Sequence, residues 1–129
     1  MPISQIPIFS MLRTRMQWHQ ERQQLLAENV AHANTPQFKP RDLAPLELSQ
    51  GQPAVAMTRT SPAHLAGASA GASQFRPERR GEFEVRPTGN AVNLEDEMLK
   101  VAANQMDYQA ATALYSRGLG LIKTALGRR

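Results

Sequence analysis

Three histidines, His19, His32 and His64, are the side chains best suited to chemistry in this sequence. An imidazole serves as a general base or a metal ligand only with partners in reach. His19 and His32 fall on one expected helix, about 20 Å apart along its axis, so they cannot share a metal ion. His64 follows Pro62 in an expected loop. The chain has no Cys, which removes thiolate ligands, thiol nucleophiles and disulfides, and leaves redox chemistry silent about the compartment. No HExxH and no GxxxxGK followed by Ser or Thr occurs. Acids such as Glu28 near His32 have the spacing of a solvated helix face. The expectation is a protein that is not an enzyme, with no catalytic, metal or cofactor site.

The elements that hold these residues have little material. With 129 residues, 5% of them aromatic, the chain allows one small domain and a lean core. No run approaches the roughly 20 apolar residues of a membrane span. Met1-Pro2-Ile3-Ser4-Gln5-Ile6-Pro7 lacks the basic start of a secretory signal, so if the protein acts outside the cytoplasm it leaves by a route that needs no cleaved signal. Net charge is +4 and the pI about 10.1, yet residues 1–35, 36–92 and 93–129 carry +1, +2 and +1. Charge spread so evenly is not a nucleic-acid footprint, and no small-molecule substrate is indicated.

Proline divides the chain. Ile8 to Asn34 holds neither Gly nor Pro, Thr88 onward holds no Pro, and seven of nine prolines lie from Pro36 to Pro87. Three parts are expected: an N-terminal assembly helix within 1–35, a Pro/Gly-rich middle over 36–92, and a C-terminal assembly helix within 93–129. Leu94, Met98, Val101, Gln105, Tyr108, Thr112, Tyr115, Leu119, Ile122 and Leu126 keep a 4-3 spacing, the period of a coiled-coil seam. Asn93 is the expected N-cap, with Asp96 in the capping-box position. Gly118 and Gly120 should each weaken this helix by about 1 kcal/mol. Leu12, Met16, His19, Gln23, Leu26, Val30 and Ala33 repeat the spacing in the first helix. That helix has Ser4 and Ser10 as alternative caps and must stop before Pro36.

The fold class expected is therefore mainly α, with two long terminal helices pairing as an antiparallel coiled coil around an irregular, partly β middle. Residues 54–59 and 82–86 are the expected strands, and 65–73, almost wholly Ala, Gly and Ser, read as a flexible loop. A second stripe, Ile8, Met11, Trp18 and Leu25, serves either a partner or the protein's own middle segment. Chains this lean need metals, disulfides or association, and only association has residues to supply it. With Ala33 opposite Leu94, Gln23 falls near Gln105 and His19 near Tyr108. Those polar residues either form a register-setting layer or face solvent or a neighbouring subunit.

Asn29-Val30-Ala31-His32-Ala33-Asn34-Thr35-Pro36-Gln37-Phe38-Lys39-Pro40-Arg41-Asp42 resembles the signature of the flagellar rod, hook and hook-associated axial proteins. That signature runs Asn-Ile/Val-Ala-Asn-x-x-Thr-Pro-Gly-Tyr/Phe-Lys/Arg-x-Arg-Asp; here His32 replaces Asn and Gln37 replaces Gly. Thr60-Ser61-Pro62-Ala63-His64-Leu65 and Gly89-Asn90-Ala91-Val92-Asn93-Leu94-Glu95-Asp96-Glu97 are similar to two further elements of a proximal-rod member. A sister proximal-rod protein shares the first signature, and a helical export chaperone or adaptor of the flagellar type III system is the other alternative. The resemblance implies a structural subunit of the proximal rod in the basal body, spanning the periplasm and reached by type III export. Its implied partners are itself, other rod subunits, basal-body adaptors and the export gate. The implied motif residues are Asn29, Ala31, Thr35, Pro36, Phe38, Arg41, Asp42, Thr60, His64, Gly89, Asn90, Val92 and Glu95. Met11, Leu12, Met16, Trp18, Leu25, Leu26, Val30, Leu94, Met98, Val101, Tyr108, Tyr115, Leu119, Ile122 and Leu126 are the expected assembly surface.

Overall fold

A computed structural model describes residues 6–46, 75–79 and 84–127. The element order is α1 (Pro7–Ala31), β1 (Arg41–Leu43), β2 (Pro77–Arg79) and α2 (Leu94–Ala125). The described residues are mainly helical, with one two-stranded antiparallel sheet. Residues 54–59 and 65–73 lie outside the described residues, as do Thr60, His64 and Ser4.

Helix α1 opens on Pro7 at its first turn, where the missing N–H costs nothing. Ile6 holds the cap position without a side-chain bond, and the expected Ser10 lies inside the helix, its Oγ donating to Pro7 O at 2.8 Å. At the other end the His32 N–H donates to Glu28 O, and the chain turns before Pro36. Helix α2 is capped by Asn93, whose side chain accepts from the Glu95 N–H at 3.1 Å. The cap bond goes to Glu95, not to the expected Asp96.

The helices run antiparallel. Asn29 meets Glu97, His19 meets Asn104, and the Phe9 ring stands 5.3 Å from that of Tyr115. On α1 the 4-3 series from Leu12 to Ala33 is buried or half-buried throughout. On α2 the inner face is Glu97, Val101, Asn104, Tyr108, Ala111, Tyr115, Gly118 and Ile122. Half the expected seam is thereby corrected: Leu94, Met98, Gln105, Thr112 and Leu126 are exposed, and Leu119 is half-buried. Two 4-3 series overlap at Val101, Tyr108, Tyr115 and Ile122. The one that faces α1 takes the polar and small residues, because these match Asn29, His19 and Phe9. Gly118 has a packing reason, since a Cβ there would lie 3.0 Å from the Phe9 ring; Gly120 meets nothing.

Expected strand 82–86 is corrected where it is described. Glu84–Arg86 is irregular, because the Arg86 N–H donates to Asn90 O and its carbonyl accepts from Gly89 N, closing a turn. The sheet instead pairs Arg41 with Arg79 and Leu43 with Pro77, and the Ala44 N–H extends it to Arg76 O. It lays Leu43 and Phe75 on Trp18, with Leu25 and Leu46 beside them. Trp18 Nε1 donates to Ala44 O at 3.0 Å. The second α1 stripe is thus shared: Trp18 and Leu25 are covered by the protein's own middle segment, while Ile8 and Met11 stay 59% and 43% exposed.

Candidate functional site

Where α1 ends and α2 begins, polar side chains form a clasp. Asn29, at 2% exposure, is its pivot. Its amide nitrogen donates to Arg41 O (2.7 Å) and to Glu97 Oε2 (2.8 Å), and its oxygen accepts from the Arg41 N–H. One side chain thereby ties α1 to both β1 and α2. Glu97 is also buried, and its other oxygen accepts from Lys100 Nζ at 2.6 Å, so the charge is paired and hydrogen-bonded. Asn90 repeats the device: Nδ2 donates to His32 O and Thr35 O, and Oδ1 accepts from the Val92 N–H.

Asp42 takes a two-pronged ion pair from Arg22, with 2.9 and 3.0 Å contacts, and accepts from the Leu43 N–H. Arg22 also lies 5.3 Å over the Trp18 ring. Planar pairing and stacking suit a guanidinium and not an ammonium. The Arg41–Glu28 pair is half-exposed and holds little. His32 stacks on Phe38 at 4.6 Å and bonds Thr35 Oγ1 through Nδ1.

The turn after Pro36 places Gln37 at φ 58, in the left-handed region. This is where the axial-protein signature has Gly. Gln37 N–H donates to Thr88 O, and the Ala91 N–H donates to Phe38 O, so the turn docks on Gly89. Gly89 has φ 78, and a Cβ there would lie 3.2 Å from Gln37 Cγ. Because glycine adopts positive φ without steric cost, Gln37→Gly should raise stability by roughly 0.5–1 kcal/mol, read as a higher urea midpoint.

A second polar layer crosses the middle of the pair. Asn104 donates to His19 O and Gln23 Oε1, which leaves its oxygen to accept from His19 Nδ1–H at 2.7 Å. Gln20 donates to Tyr108 Oη, and with Gln105 these residues border a cleft of about 290 Å³. His19 is 3% exposed, and its Nε2 has no hydrogen-bond partner.

The structure thus brings together Asn29, Thr35, Phe38, Arg41, Asp42, Gly89, Asn90 and Val92. Ala31, Pro36 and Glu95 stand at the same end with exposed side chains. Within the final motif, Glu97 and not Glu95 enters the clasp. Sequence reasoning missed Arg22, Glu97 and Asn104; the signal was the seven-residue spacing of Asn90, Glu97 and Asn104. Of the expected assembly residues, Leu26 at 0% and Trp18 at 9% exposure are sealed within the chain. Leu12, Met16, Val30, Val101, Tyr108, Tyr115 and Ile122 lie half-buried along the helix pair.

Among the described residues no three His, Cys, Asp or Glu side chains stand close enough to hold a metal, and no helix is long and apolar enough to cross a membrane. Two terminal helices clasped at one end, with apolar surface left outside, have the build of a structural, assembly-type subunit. No family model matches the chain. It is similar to the flagellar basal body rod protein FlgB of Agrobacterium fabrum strain C58, 32% identical over 114 residues covering 84% of each chain. The FlgB of Cereibacter sphaeroides is 34% identical over 110 residues, with 81% and 82% covered. That of Aeromonas hydrophila is 30% identical over 115 residues, with 84% and 85% covered. The chain belongs to the FlgB family of flagellar basal body rod proteins.

Proposed function

We propose that this protein is a structural, non-catalytic subunit of the proximal rod, built into the torque-transmitting shaft through its terminal helices. The helix pair acts as an antiparallel coiled coil that presents its outer faces to other rod subunits. Basal-body adaptors and the type III export gate are its further partners. The sister proximal-rod protein FlgC and an export chaperone are not favoured, since the relatives above are FlgB proteins.

One observation carries the assembly role. Helix α2 is apolar on the side away from α1 as well: Leu99, Met106, Leu114 and Leu121 are 57–70% exposed, with Ala103 and Ala110 between them. A helix apolar on opposite faces belongs in an interior, and neighbouring rod subunits supply one. The reading adds this outer stripe to the exposed members of the expected assembly surface, Leu94, Met98, Leu126 and Met11, with Ile8 beside them. Leu114→Asp should leave the helical circular dichroism unchanged and abolish incorporation into purified basal bodies, with loss of swimming. Normal incorporation of a well-folded Leu114→Asp would refute the reading.

A further inference from the structure

The clasp holds an amine, an amide and a carboxylate in contact. Glu97 Oε1 accepts from Lys100 Nζ at 2.6 Å, and Oε2 accepts from Asn29 Nδ2 at 2.8 Å. The lysine nitrogen and the asparagine amide thus share one carboxylate, each on its own oxygen. Asn29 and Glu97 are each 2% exposed, so the amide is shielded from water that would compete for it. Lys100 is half-buried, and its tip has room to move.

The amide is also held as a reacting amide must be. Its oxygen accepts from the Arg41 N–H at 3.1 Å, and its nitrogen donates to Arg41 O at 2.7 Å. Hydrogen bonds to an amide lie near its plane, so they leave the two faces of Cγ for a nucleophile. A backbone N–H on the carbonyl oxygen steadies the negative charge that an attack would put there. A carboxylate touching both nitrogens can carry protons from one to the other. A free amine in water leaves amides alone, but groups fixed in one geometry reach effective molarities of about 10⁵–10⁸ M.

We infer that the folded chain joins Lys100 to Asn29 through an isopeptide bond, with Glu97 as the proton carrier. Glu97 takes a proton from the Lys100 ammonium, and the freed Nζ lone pair attacks Asn29 Cγ. The carbonyl electron pair moves onto Oδ1, where the Arg41 N–H meets it. Glu97 passes its proton to Nδ2 and takes a second one from Nζ. The Cγ–Nδ2 bond breaks, the second proton follows, and the nitrogen leaves as ammonium. Nζ keeps one hydrogen and Glu97 is a carboxylate again. The positive charge has moved from lysine to ammonium, and nothing is oxidised or reduced. This happens once per chain, without turnover, so it goes beyond the structural reading and does not replace it. The bond ties the end of α1 to the start of α2, where Asn29 already splices them.

The test is the intact mass of the purified full chain, denatured for the measurement after standing folded for days. A loss of about 17 Da, one ammonia, is expected, because the amide nitrogen is the leaving group. Trypsin digestion should then release a branched peptide that joins Asn29 to Lys100. Lys100→Arg keeps a cation beside Glu97 but offers no nitrogen that can give up its charge. It should keep its helices by circular dichroism and also its full mass. Glu97→Gln preserves the shape and removes the proton carrier, and it should slow the loss at least about 100-fold.

A chain that is helical by circular dichroism and keeps its full mass would overturn the inference, leaving a clasp of hydrogen bonds alone. So would a loss of the same size that persists in Lys100→Arg, which marks an asparagine cyclised onto its own backbone. Loss in Glu97→Gln at the parent's rate overturns it as well. None of these results touches the assembly reading, which Leu114→Asp tests.

Discussion

Leu26→Asp is expected to unfold the helix pair. Leu26 is wholly enclosed, at 0% exposure, in the seam of α1. The substitution removes about 2 kcal/mol of apolar burial and demands that a carboxylate sit without a partner between two helices. An unpaired buried charge adds several kcal/mol more, so the total exceeds about 4 kcal/mol. A small domain commonly has only about 5–15 kcal/mol in all, and this one has a lean core. Far-UV circular dichroism should show most of the helical signal gone at 25 °C, or a melting midpoint lowered by tens of degrees. Leu114→Asp is the control, since it places the same charge on a surface 57% exposed and should melt like the parent. A Leu26→Asp protein that melts with its parent would mean that the seam is not where the helices are held together.

The next largest effect is expected at Asn29. Asn29→Ala deletes three hydrogen bonds, strands the Arg41 peptide group and leaves buried Glu97 with Lys100 alone. Unmet buried polar groups cost about 1–3 kcal/mol each, and a loss near 3 kcal/mol in urea unfolding is expected. Asn29→Asp, although nearly the same shape, should be no milder. Its second oxygen would replace the donor that lies 2.8 Å from the Glu97 carboxylate, setting two like charges together. Adding Glu97→Gln to Asn29→Asp restores a donor facing an acceptor and should recover about half of the loss or more. An Asn29→Asp protein as stable as the parent, with no response to Glu97→Gln, would show that the clasp does not join the helices.

These two residues mark how differently the sequence exposes its own design. Leu26 belongs to an unbroken 4-3 series, and such periodicity places it in a seam whatever the partner is. On α2 the same rule chose the wrong half of the seam. Large apolar residues there form two overlapping series, and hydrophobicity favoured the one with Leu94, Met98, Leu119 and Leu126 over the one with Glu97, Asn104 and Gly118. The second series wins because helix α1 offers it matched partners: Asn29 for Glu97, His19 and Gln23 for Asn104, and the Phe9 ring for the bare Gly118 backbone. A ranking by apolarity cannot find a face whose specificity is polar.

The motif residues were legible as a list but not as a mechanism. The signature held Asn29, Arg41 and Asp42 together by their nearness in the chain, and Asn90 stood apart in another motif. That Asn29 and Asn90 both splice the two ends of the middle segment required the chain to return from residue 43 to residue 90. The Gln37 conformation was half-legible. A residue in the place of a signature glycine draws notice, and only the fold shows that the left-handed turn is retained at a steric cost.

Taken alone, the sequence determined the two helices, their breaks at proline, the absence of thiol chemistry and the pattern that points to an axial subunit, because each is written in neighbouring residues. The tertiary structure alone decided which side of α2 meets α1, and what covers Trp18. It also decided where the charge gathers. Counted along the chain the charge is even, +1, +2 and +1. Antiparallel pairing superposes the basic start of one helix on the basic end of the other, and Coulomb interactions depend on distance through space, not along the chain.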